Sequence, residues 1–432
     1  MKRILTLALV ALLSMATAQT TIEFWYAFSD APRSGWIDDR IAEFNEQLAE
    51  QGLDYEVTGE RKGSYRETLQ AAVLAARQGN PPHLVQLFEV GSQLAVDSGI
   101  FKPIGEVGGI DESAYIEPVI NYYTIEGEVN SIPFNSSSPI LYANMQLMEE
   151  AGLDPNALPG TFGEVLDACE AIDAAGLDAN CITFPLHGWF FEQWMSEQNA
   201  LLANNGNGRD ARATEMLLNS EAGLRIGQFM ADLAAGGYYS YTGTFEDWSG
   251  SEAIFGNQES VFFITSTADA GNITRAAADM GFDVKTGLLP IPDGVDRNGV
   301  VIGGASVWLT EGHSDEELEV ARDFVLYMTN AENMVSWHKL TGYYPVVNAS
   351  VDLLEEEGWF EAEPNFAVAF DQLLDTKANQ ASAGALLGIF GEVRTIVEEA
   401  LQRIYNGADV EESMNQANEE ANARLAEYNA NF

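Results

Sequence analysis

Extended apolar runs alternate with helical periods over the first part of the chain. Three runs rich in β-branched and aromatic residues, at 20–28, 54–59 and 81–88, predict strands. Between them, apolar residues recur every three or four positions over about 32–51, and a Ser-x-x-Glu capping box at Ser64 opens a second helix to about 78. This strand–helix order predicts a parallel sheet covered by helices.

The pattern changes in the middle of the chain and then returns. Residues from about 144 to 280 predict mostly helices, strands reappear in FDVKTGLLPIP and GGASVWLT, and helices follow from 314 onward. A chain that leaves one sheet and comes back predicts two lobes joined by a hinge of about three segments. The predicted limits are 19–130 with 281–335 for lobe 1, and 131–280 with 336–432 for lobe 2. Ligands of such folds bind between the lobes.

Composition and charge limit the classes of protein to which this chain can belong. The chain has 432 residues, of which 46% are hydrophobic, enough for a large core. Its 66 acidic and 21 basic residues give a formal net charge of −45. Such a surface repels nucleic acid and anionic lipid, so neither is a predicted partner. The acidic residues are spread along helix faces, which is typical of a solvated surface.

The first eighteen residues have the pattern of an export signal. Two basic residues precede an apolar run from Ile4 to Met15, and Ala16-Thr17-Ala18 fits a cleavage site before Gln19. No cysteine lies near that site, so we expect an exported protein without a lipid anchor. The two cysteines, Cys169 and Cys181, have the spacing to form a disulfide across a short loop in an oxidising compartment.

Motifs for catalysis and for metal binding are missing from the sequence. It contains no GxSxG, HExxH, GxGxxG or phosphate-binding GxxxxGK[ST] motif, no CxxC pair and only four histidines. We therefore predict no cofactor, no metal and no enzyme activity. Aromatic residues instead concentrate at 24–28, 187–194 and 337–346, near predicted turns, where hydroxyl and indole groups suit a ligand cleft.

Six stretches resemble one family along the whole predicted mature chain. They are FWY, RKGSYRETLQAAVLAARQGNPPHLVQLFEVGS, IPFNSSSPILYANMQ, IGGASVWL, WHKLTGYYPV and VRTIVEEAL. They resemble the periplasmic glycerol-3-phosphate-binding proteins of ABC importers, within family 1 of the extracellular solute-binding proteins. The resemblance implies a type II periplasmic binding protein fold, which is a two-lobe α/β architecture. It also implies a monomer that captures glycerol-3-phosphate or a glycerophosphodiester by lobe closure and delivers it to permease subunits.

The resemblance further implies a set of ligand-binding residues. Tyr65 and Glu89 match positions that hold the glycerol hydroxyls. Ser137, Ser266 and Gly304 match positions on the phosphate side. Tyr343 matches a phenol donor, and Arg394 matches a cation for the phosphate. We expect the serines of IPFNSSSP to face the cleft, where a ligand oxygen or water satisfies hydroxyl groups that are costly to bury alone.

Trp189 matches one member of a tryptophan pair found in the family's readers of glycerophosphocholine, and the other position falls at Leu186. A missing ring weakens cation–π binding of choline, so the sequence does not decide which head group the ligand carries.

Two alternatives also stay open. One is a binding protein for a neutral oligosaccharide of the maltose or trehalose type, in which Arg394 has a structural role. The other is a secreted hydrolase of glycerophosphodiesters, which needs a metal or a nucleophile–base pair.

Overall fold

The computed structural model describes residues 19–432, and the predicted export signal lies outside them. Twelve strands are present in this part of the chain: β1 Thr20–Tyr26, β2 Tyr55–Arg61, β3 Leu84–Phe88, β4 Phe101–Lys102, β5 Thr124–Ile125, β6 Glu128–Val129, β7 Ile132–Ser137, β8 Pro139–Asn144, β9 Asn180–Thr183, β10 Ser260–Ser266, β11 Val284–Gly287 and β12 Gly303–Thr310.

Eighteen α-helices are present in the same range. They are α1 Ala31–Glu50, α2 Tyr65–Arg77, α3 Ser92–Ser98, α4 Glu117–Tyr123, α5 Met145–Glu150, α6 Phe162–Ala175, α7 Gly188–Glu197, α8 Asn204–Asn207, α9 Glu221–Gly236, α10 Trp248–Gly256, α11 Ala270–Met280, α12 Asp315–Met328, α13 Ala331–Thr341, α14 Asn348–Glu356, α15 Trp359–Ala362, α16 Pro364–Leu374, α17 Phe390–Tyr405 and α18 Val410–Asn429. None of these helices combines the length and the apolar character needed to traverse a bilayer.

The first sheet has six strands in the order β2–β1–β3–β12–β4, with β7 also paired to β12. Strands β2, β1 and β3 are parallel, as the strand–helix alternation predicts, whereas β12 is antiparallel to β3, β4 and β7. The register places Gly304 opposite Ser136 and Ala305 opposite Phe88. The end of β3, the end of β7 and the start of β12 therefore meet at one edge of the sheet.

The second sheet has four strands in the order β11–β8–β10–β9. Two of them, β9 and β10, lie within the segment predicted to be mostly helical, and the sequence did not predict either strand. Strand β10 is buried at all seven positions, and β9 is buried at three of four. A short strand buried on both faces has no alternation of polar and apolar residues, and periodicity does not distinguish it from a helical segment.

Sheet membership differs from the lobe limits predicted from the sequence. Strand β7 pairs in the first sheet and β8 in the second, so the chain crosses at Ser138 rather than at 130/131. Strand β11 pairs with β8, and the chain returns to the first sheet only between Gly287 and Gly303. The predicted limits followed the alternation of strand and helix patterns along the chain, whereas the crossing is set by which strands exchange backbone hydrogen bonds.

Two large clusters of buried apolar residues stabilise the molecule. One surrounds the first sheet and continues past the crossing to Tyr142 and Phe263, and the other fills the space between the second sheet and helices α6, α7, α9, α17 and α18. A disulfide between Cys169 and Cys181 joins α6 to β9 inside the second cluster. The described part of the chain therefore has two main cores, joined where β7 continues into β8, and a third, smaller cluster around Trp308.

Candidate ligand-binding cleft

A cavity of about 510 Å³ lies between the two sheets and is lined from both sides. The ends of β3, β7 and β10, the start of β12 and the first turn of α2 all reach it. All eight ligand-binding residues expected from the sequence line this one cavity: Tyr65, Glu89, Ser137, Trp189, Ser266, Gly304, Tyr343 and Arg394. Residues up to 329 positions apart in the chain are thus brought to one place by the two sheets.

Tyr65 is positioned by a helix cap and by a chain of amide groups. Ser64 caps α2 through the predicted capping box, which fixes Tyr65 as the first helical residue, and the Tyr65 ring stacks on Phe88 at 5.9 Å. The Tyr65 hydroxyl accepts a hydrogen bond from Asn135 at 2.8 Å, and Asn135 in turn accepts one from Gln86 at 2.8 Å. Because the oxygen accepts from Asn135, the Tyr65 hydroxyl proton is left to donate, and the neighbouring Tyr343 hydroxyl accepts it.

The three serines of IPFNSSSP have three different environments. Ser137 lines the cavity, as expected. Ser138 instead bonds to the Tyr344 hydroxyl and accepts from the Gln372 amide at 3.0 Å. The hydroxyl of Ser136 is buried and has no hydrogen-bond partner among residues 19–432, while its carbonyl accepts from the Tyr344 N–H at 2.7 Å. The expectation that the serines face the cleft is therefore right for Ser137 only, because neighbouring residues of a strand point to opposite faces.

Two backbone features shape the cavity beside Ser137. Gly304 has a φ of +106°, and a Cβ atom there would lie 1.9 Å from the carbonyl oxygen of Asn135. Only glycine fits such a position. Ser266 ends β10 and its hydroxyl oxygen accepts from the Ala268 N–H at 3.1 Å, so the Ser266 proton is free to donate.

Arg394 is held between two carboxylates. Its Nε and Nη2 donate to both oxygens of Glu192 at 2.7 and 2.8 Å, and Nη2 also donates to Glu89 at 2.5 Å. All three side chains are buried. Burial alone lowers the pKa of Arg394, but Glu192 and Glu89 outweigh it and raise that pKa, so the guanidinium stays charged. The sequence placed Arg394 opposite a phosphate, whereas in the structure two acidic side chains already share it.

Arg33 is a second arginine at the cavity, and the sequence analysis missed it. Its Nη2 donates to the carbonyl of Ala268 at 2.8 Å and to Asp269 at 2.7 Å. The guanidinium lies 5.4 Å from the centre of the Tyr343 ring and 5.7 Å from that of Phe28. A basic residue five positions after the FWYAF strand was the available signal, since strand ends of parallel sheets border the cleft.

The wall of the cavity that α7 and α10 form is aromatic and acidic. The Trp248 ring lies 6.0 Å from that of Trp189, so a second indole is present although position 186 is a leucine. Glu252 follows Trp248 by one turn on α10, and both line the cavity. Burial is the main cause that raises the pKa of Glu252. These two residues were also missed, because nothing in EDWSGSEA marks a strand end.

Histidine and carboxylate groups come together at two places in the described part of the chain. His187 lies with Glu246 and Glu398 at the edge of the cavity, and His83 lies with His313 and Glu317 outside it. In the first cluster, Nδ1 of His187 accepts the Trp189 N–H at 2.9 Å. In the second, Nδ1 of His83 accepts the Glu23 N–H at 3.1 Å.

A neutral imidazole that accepts at Nδ1 carries its proton on Nε2. Nε2 of His187 and Nε2 of His83 are therefore hydrogen-bond donors and not metal ligands. The groups that line the cavity suit reversible hydrogen bonding of a polar ligand.

Comparisons with known proteins agree with this architecture. Residues 39–368 match the family model described as bacterial extracellular solute-binding protein. The chain is 30% identical over 409 residues to the sn-glycerol-3-phosphate-binding periplasmic protein UgpB of Salmonella typhimurium, covering 92% of this chain and 90% of the relative. It is 29% identical over 425 residues to UgpB of Pectobacterium atrosepticum, covering 96% and 93%.

Solved structures share the fold over nearly the whole chain. UgpB from Mycobacterium tuberculosis in complex with glycerophosphocholine matches with a TM-score of 0.78 at 21% identity, covering 95% of this chain and 99% of that one. The cyclic α-maltosyl-1,6-maltose binding protein from Arthrobacter globiformis matches with a TM-score of 0.75 at 19% identity, covering 94% and 99%. The predicted two-lobe binding-protein fold is confirmed. The chain belongs to the family of bacterial extracellular solute-binding proteins, and it is a binding protein rather than an enzyme.

Proposed function

We propose that this chain is the solute-binding component of an ABC importer, which captures glycerol-3-phosphate or a glycerophosphodiester in the cleft and delivers it to a membrane permease. The observation that carries the proposal is the meeting of all eight expected residues at one cavity. The names of the relatives that match over most of the chain support it.

The phosphate is bound by hydroxyl and backbone donors. Ser137, Ser266 and Tyr343 each have a hydroxyl proton available at the cavity, and the glycine at 304 lets a ligand oxygen approach the backbone closely. Such donors are effective in a cleft from which water is excluded. They supply local attraction that the strongly negative net charge of the protein does not.

The glycerol hydroxyls are bound at the Glu89 end. A carboxylate accepts two hydroxyl hydrogen bonds well, and Arg394 fixes the orientation of Glu89 through a 2.5 Å contact. Nη1 of Arg394 donates in none of these three bonds and stays available to the ligand. Arg394 thus acts chiefly on the carboxylates rather than as the counter-ion of the phosphate.

Lobe closure is the mechanism of capture. The ligand contacts both lobes and favours the closed state because its full set of contacts exists only there. The closed surface is then read by the permease. We further propose that the chain is exported to the periplasm after cleavage at Ala18, is not lipid-anchored and acts as a monomer.

A calorimetric and thermal-shift panel tests the proposal. The purified mature chain is mixed with glycerol-3-phosphate, glycerophosphoglycerol, glycerophosphoethanolamine, maltose or trehalose. We expect micromolar or tighter binding of at least one glycerophosphate compound and a raised melting temperature. The double variant Ser137→Ala/Ser266→Ala is expected to lose that binding, while Ser113→Ala, a change at an exposed serine outside the cavity, leaves it intact.

A neutral oligosaccharide is the second candidate, because the guanidinium groups at the cavity are already paired with carboxylates and two indole rings line it. Binding of maltose or trehalose without binding of any glycerophosphate compound would replace the first proposal with this one.

A further inference from the structure

A row of hydrogen-bonded polar groups runs from the backbone of the first sheet to the edge of the cavity. It begins at the N–H of Ala27, just after β1, and continues through the side chains of Gln86 on β3 and Asn135 on β7. It ends at the hydroxyl groups of Tyr65 and Tyr343, which line the cavity. Gln86 and Asn135 are fully buried and do not line it. We name these five groups the relay.

The backbone fixes the direction in which the relay donates. An N–H only donates, so the Gln86 atom that lies 2.8 Å from the Ala27 nitrogen is the side-chain oxygen, and the Gln86 amide nitrogen faces Asn135. That nitrogen donates to the Asn135 oxygen at 2.8 Å. The Asn135 nitrogen is thereby turned toward the Tyr65 hydroxyl, to which it donates at 2.8 Å. Neither amide turns over without placing two donors or two acceptors against each other.

The same direction continues through the two phenols. The Tyr65 proton goes to the Tyr343 hydroxyl, whose oxygen also accepts from Asn135. Because that oxygen is occupied, the Tyr343 proton is directed into the cavity, and burial raises the pKa of Tyr343, so the proton is retained. The backbone of Tyr343 is held as well: its N–H donates to Thr341 Oγ1 at 3.0 Å, and His338 Nδ1 donates to its carbonyl at 2.8 Å.

We propose that Gln86, which does not line the cavity, is a positioning residue for ligand binding: it sets the direction of the relay, so that Tyr343 presents a donor and never a lone pair to the ligand. The inference rests on the proposed function and deepens it. An ionised phosphate oxygen only accepts hydrogen bonds, whereas a sugar hydroxyl both donates and accepts. A donor that is fixed in advance therefore favours a phosphate compound, because no group has to reorient when the ligand binds.

The variant Gln86→Glu is expected to reverse the relay when the new carboxyl group is ionised. A carboxylate accepts from Ala27 but has no proton for Asn135, so the Asn135 amide turns over. Tyr65 then donates to Asn135, and Tyr343 donates to Tyr65. By calorimetry at about pH 9, where a buried glutamate is ionised, we expect glycerol-3-phosphate and glycerophosphoglycerol to bind at least about tenfold more weakly than to the unmodified protein. At about pH 5 the protonated carboxyl group donates as the amide does, and the two affinities are expected to converge.

A double-mutant cycle with Tyr343→Phe separates the relay from other effects. A new carboxylate also repels a phosphate, and altered packing also weakens binding, but neither effect depends on the Tyr343 hydroxyl. In the Tyr343→Phe background we therefore expect Gln86→Glu to change the affinity by less than about twofold at the same pH. Gln193→Glu is the matched control and is expected to leave the affinity unchanged. Gln193 is equally buried, its oxygen accepts the Val301 N–H at 3.0 Å, and it does not line the cavity.

The outcomes separate the two proposals. Equal binding by Gln86→Glu and the unmodified protein at about pH 9, or a weakening that persists in the Tyr343→Phe background, overturns the role of Gln86 and leaves the proposed function standing. Circular dichroism melts show whether the variants are folded. If Gln86→Glu does not fold, Gln86→Met removes the amide without adding a charge, and its severalfold weakening must likewise disappear with Tyr343→Phe. Failure of every glycerophosphate compound to bind the unmodified protein overturns the proposed function itself.

Discussion

Two ion pairs that cross the same cleft lie in opposite environments. Arg394 joins Glu89 and Glu192 with every side chain at most 8% exposed, whereas Arg66 joins Glu246 with both side chains 41% exposed. In water the attraction is weak and screened, but a buried charge that loses its partner is left without either water or a counter-ion. The contrast teaches that the environment of a cross-cleft contact, not its distance, decides its energetic weight.

The largest expected effect is that of Arg394→Met. The substitution leaves Glu89 and Glu192 buried without a cation, and we expect a loss of about 3–5 kcal/mol in the free energy of unfolding. Urea denaturation measures it. The triple variant Glu89→Gln/Glu192→Gln/Arg394→Met is the control and is expected to recover much of the loss. A single variant within about 1 kcal/mol of the unmodified protein contradicts the buried-cluster account.

Glu398 sharpens the comparison, because it is a buried carboxylate one helical turn after Arg394 that contacts the Gly188 N–H instead of a guanidinium. Burial raises the pKa of Glu398 from 4.5 to about 8. The unfolded chain ionises it near pH 4.5, whereas the folded protein keeps its proton until about pH 8. Its contribution to stability therefore falls as pH rises through this window, by about 1.4 kcal/mol per pH unit.

The variant Glu398→Gln checks this pH dependence. The amide oxygen still accepts from Gly188, but nothing ionises, so the variant is expected to match the unmodified protein near pH 4.5 and to become relatively more stable toward pH 8. Urea denaturation at several pH values measures the difference. A difference that stays constant between pH 4.5 and 8 contradicts the raised pKa.

Arg33→Met is expected to have an intermediate effect. Arg33 and Asp269 are 16% and 19% exposed, between the two extremes, and the guanidinium also donates to the Ala268 carbonyl. We expect a loss of about 1–3 kcal/mol in the free energy of unfolding. A double-mutant cycle with Asp269→Asn isolates the pairwise part. A coupling energy near zero would mean that the Arg33–Asp269 pair contributes as little to stability as the exposed Arg66–Glu246 pair.

Arg66→Met is expected to have the smallest effect. An ion pair this exposed contributes at most about 1 kcal/mol, and salt reduces it further. Denaturation of the variant in low salt and in 1 M salt measures this, and the difference from the unmodified protein is expected to vanish in 1 M salt. A large loss that persists in 1 M salt shows that Arg66 acts through packing instead.

Local signals in the sequence predicted much of the first lobe. The Ser64 capping box, the helix of α1 and the strands β1 to β3 were all identified from spacing within short windows. The second sheet was largely missed, because β9 and β10 are short and buried. Strand β9 pairs with β10, 80 residues later, and β10 pairs with β8, more than a hundred residues earlier, so no local window contains the partners.

The candidate site is likewise divided into residues that the sequence identified and residues that it missed. Motifs identified eight residues that line one cavity, but not Arg33, Trp248 or Glu252. They also gave no sign that Ser138 bonds to Tyr344, 206 residues later.

The sequence by itself determined an α/β chain with a large core, a strongly acidic surface, a family resemblance and eight of the residues around the cleft. Only the tertiary structure decided what those residues contact. Glu192 and Arg394 are 202 residues apart, and Glu89 and Arg394 are 305 apart, yet they form one buried cluster. Residue type fixes which charges a side chain carries, but the partner and the water around that charge depend on how the two sheets bring distant segments together.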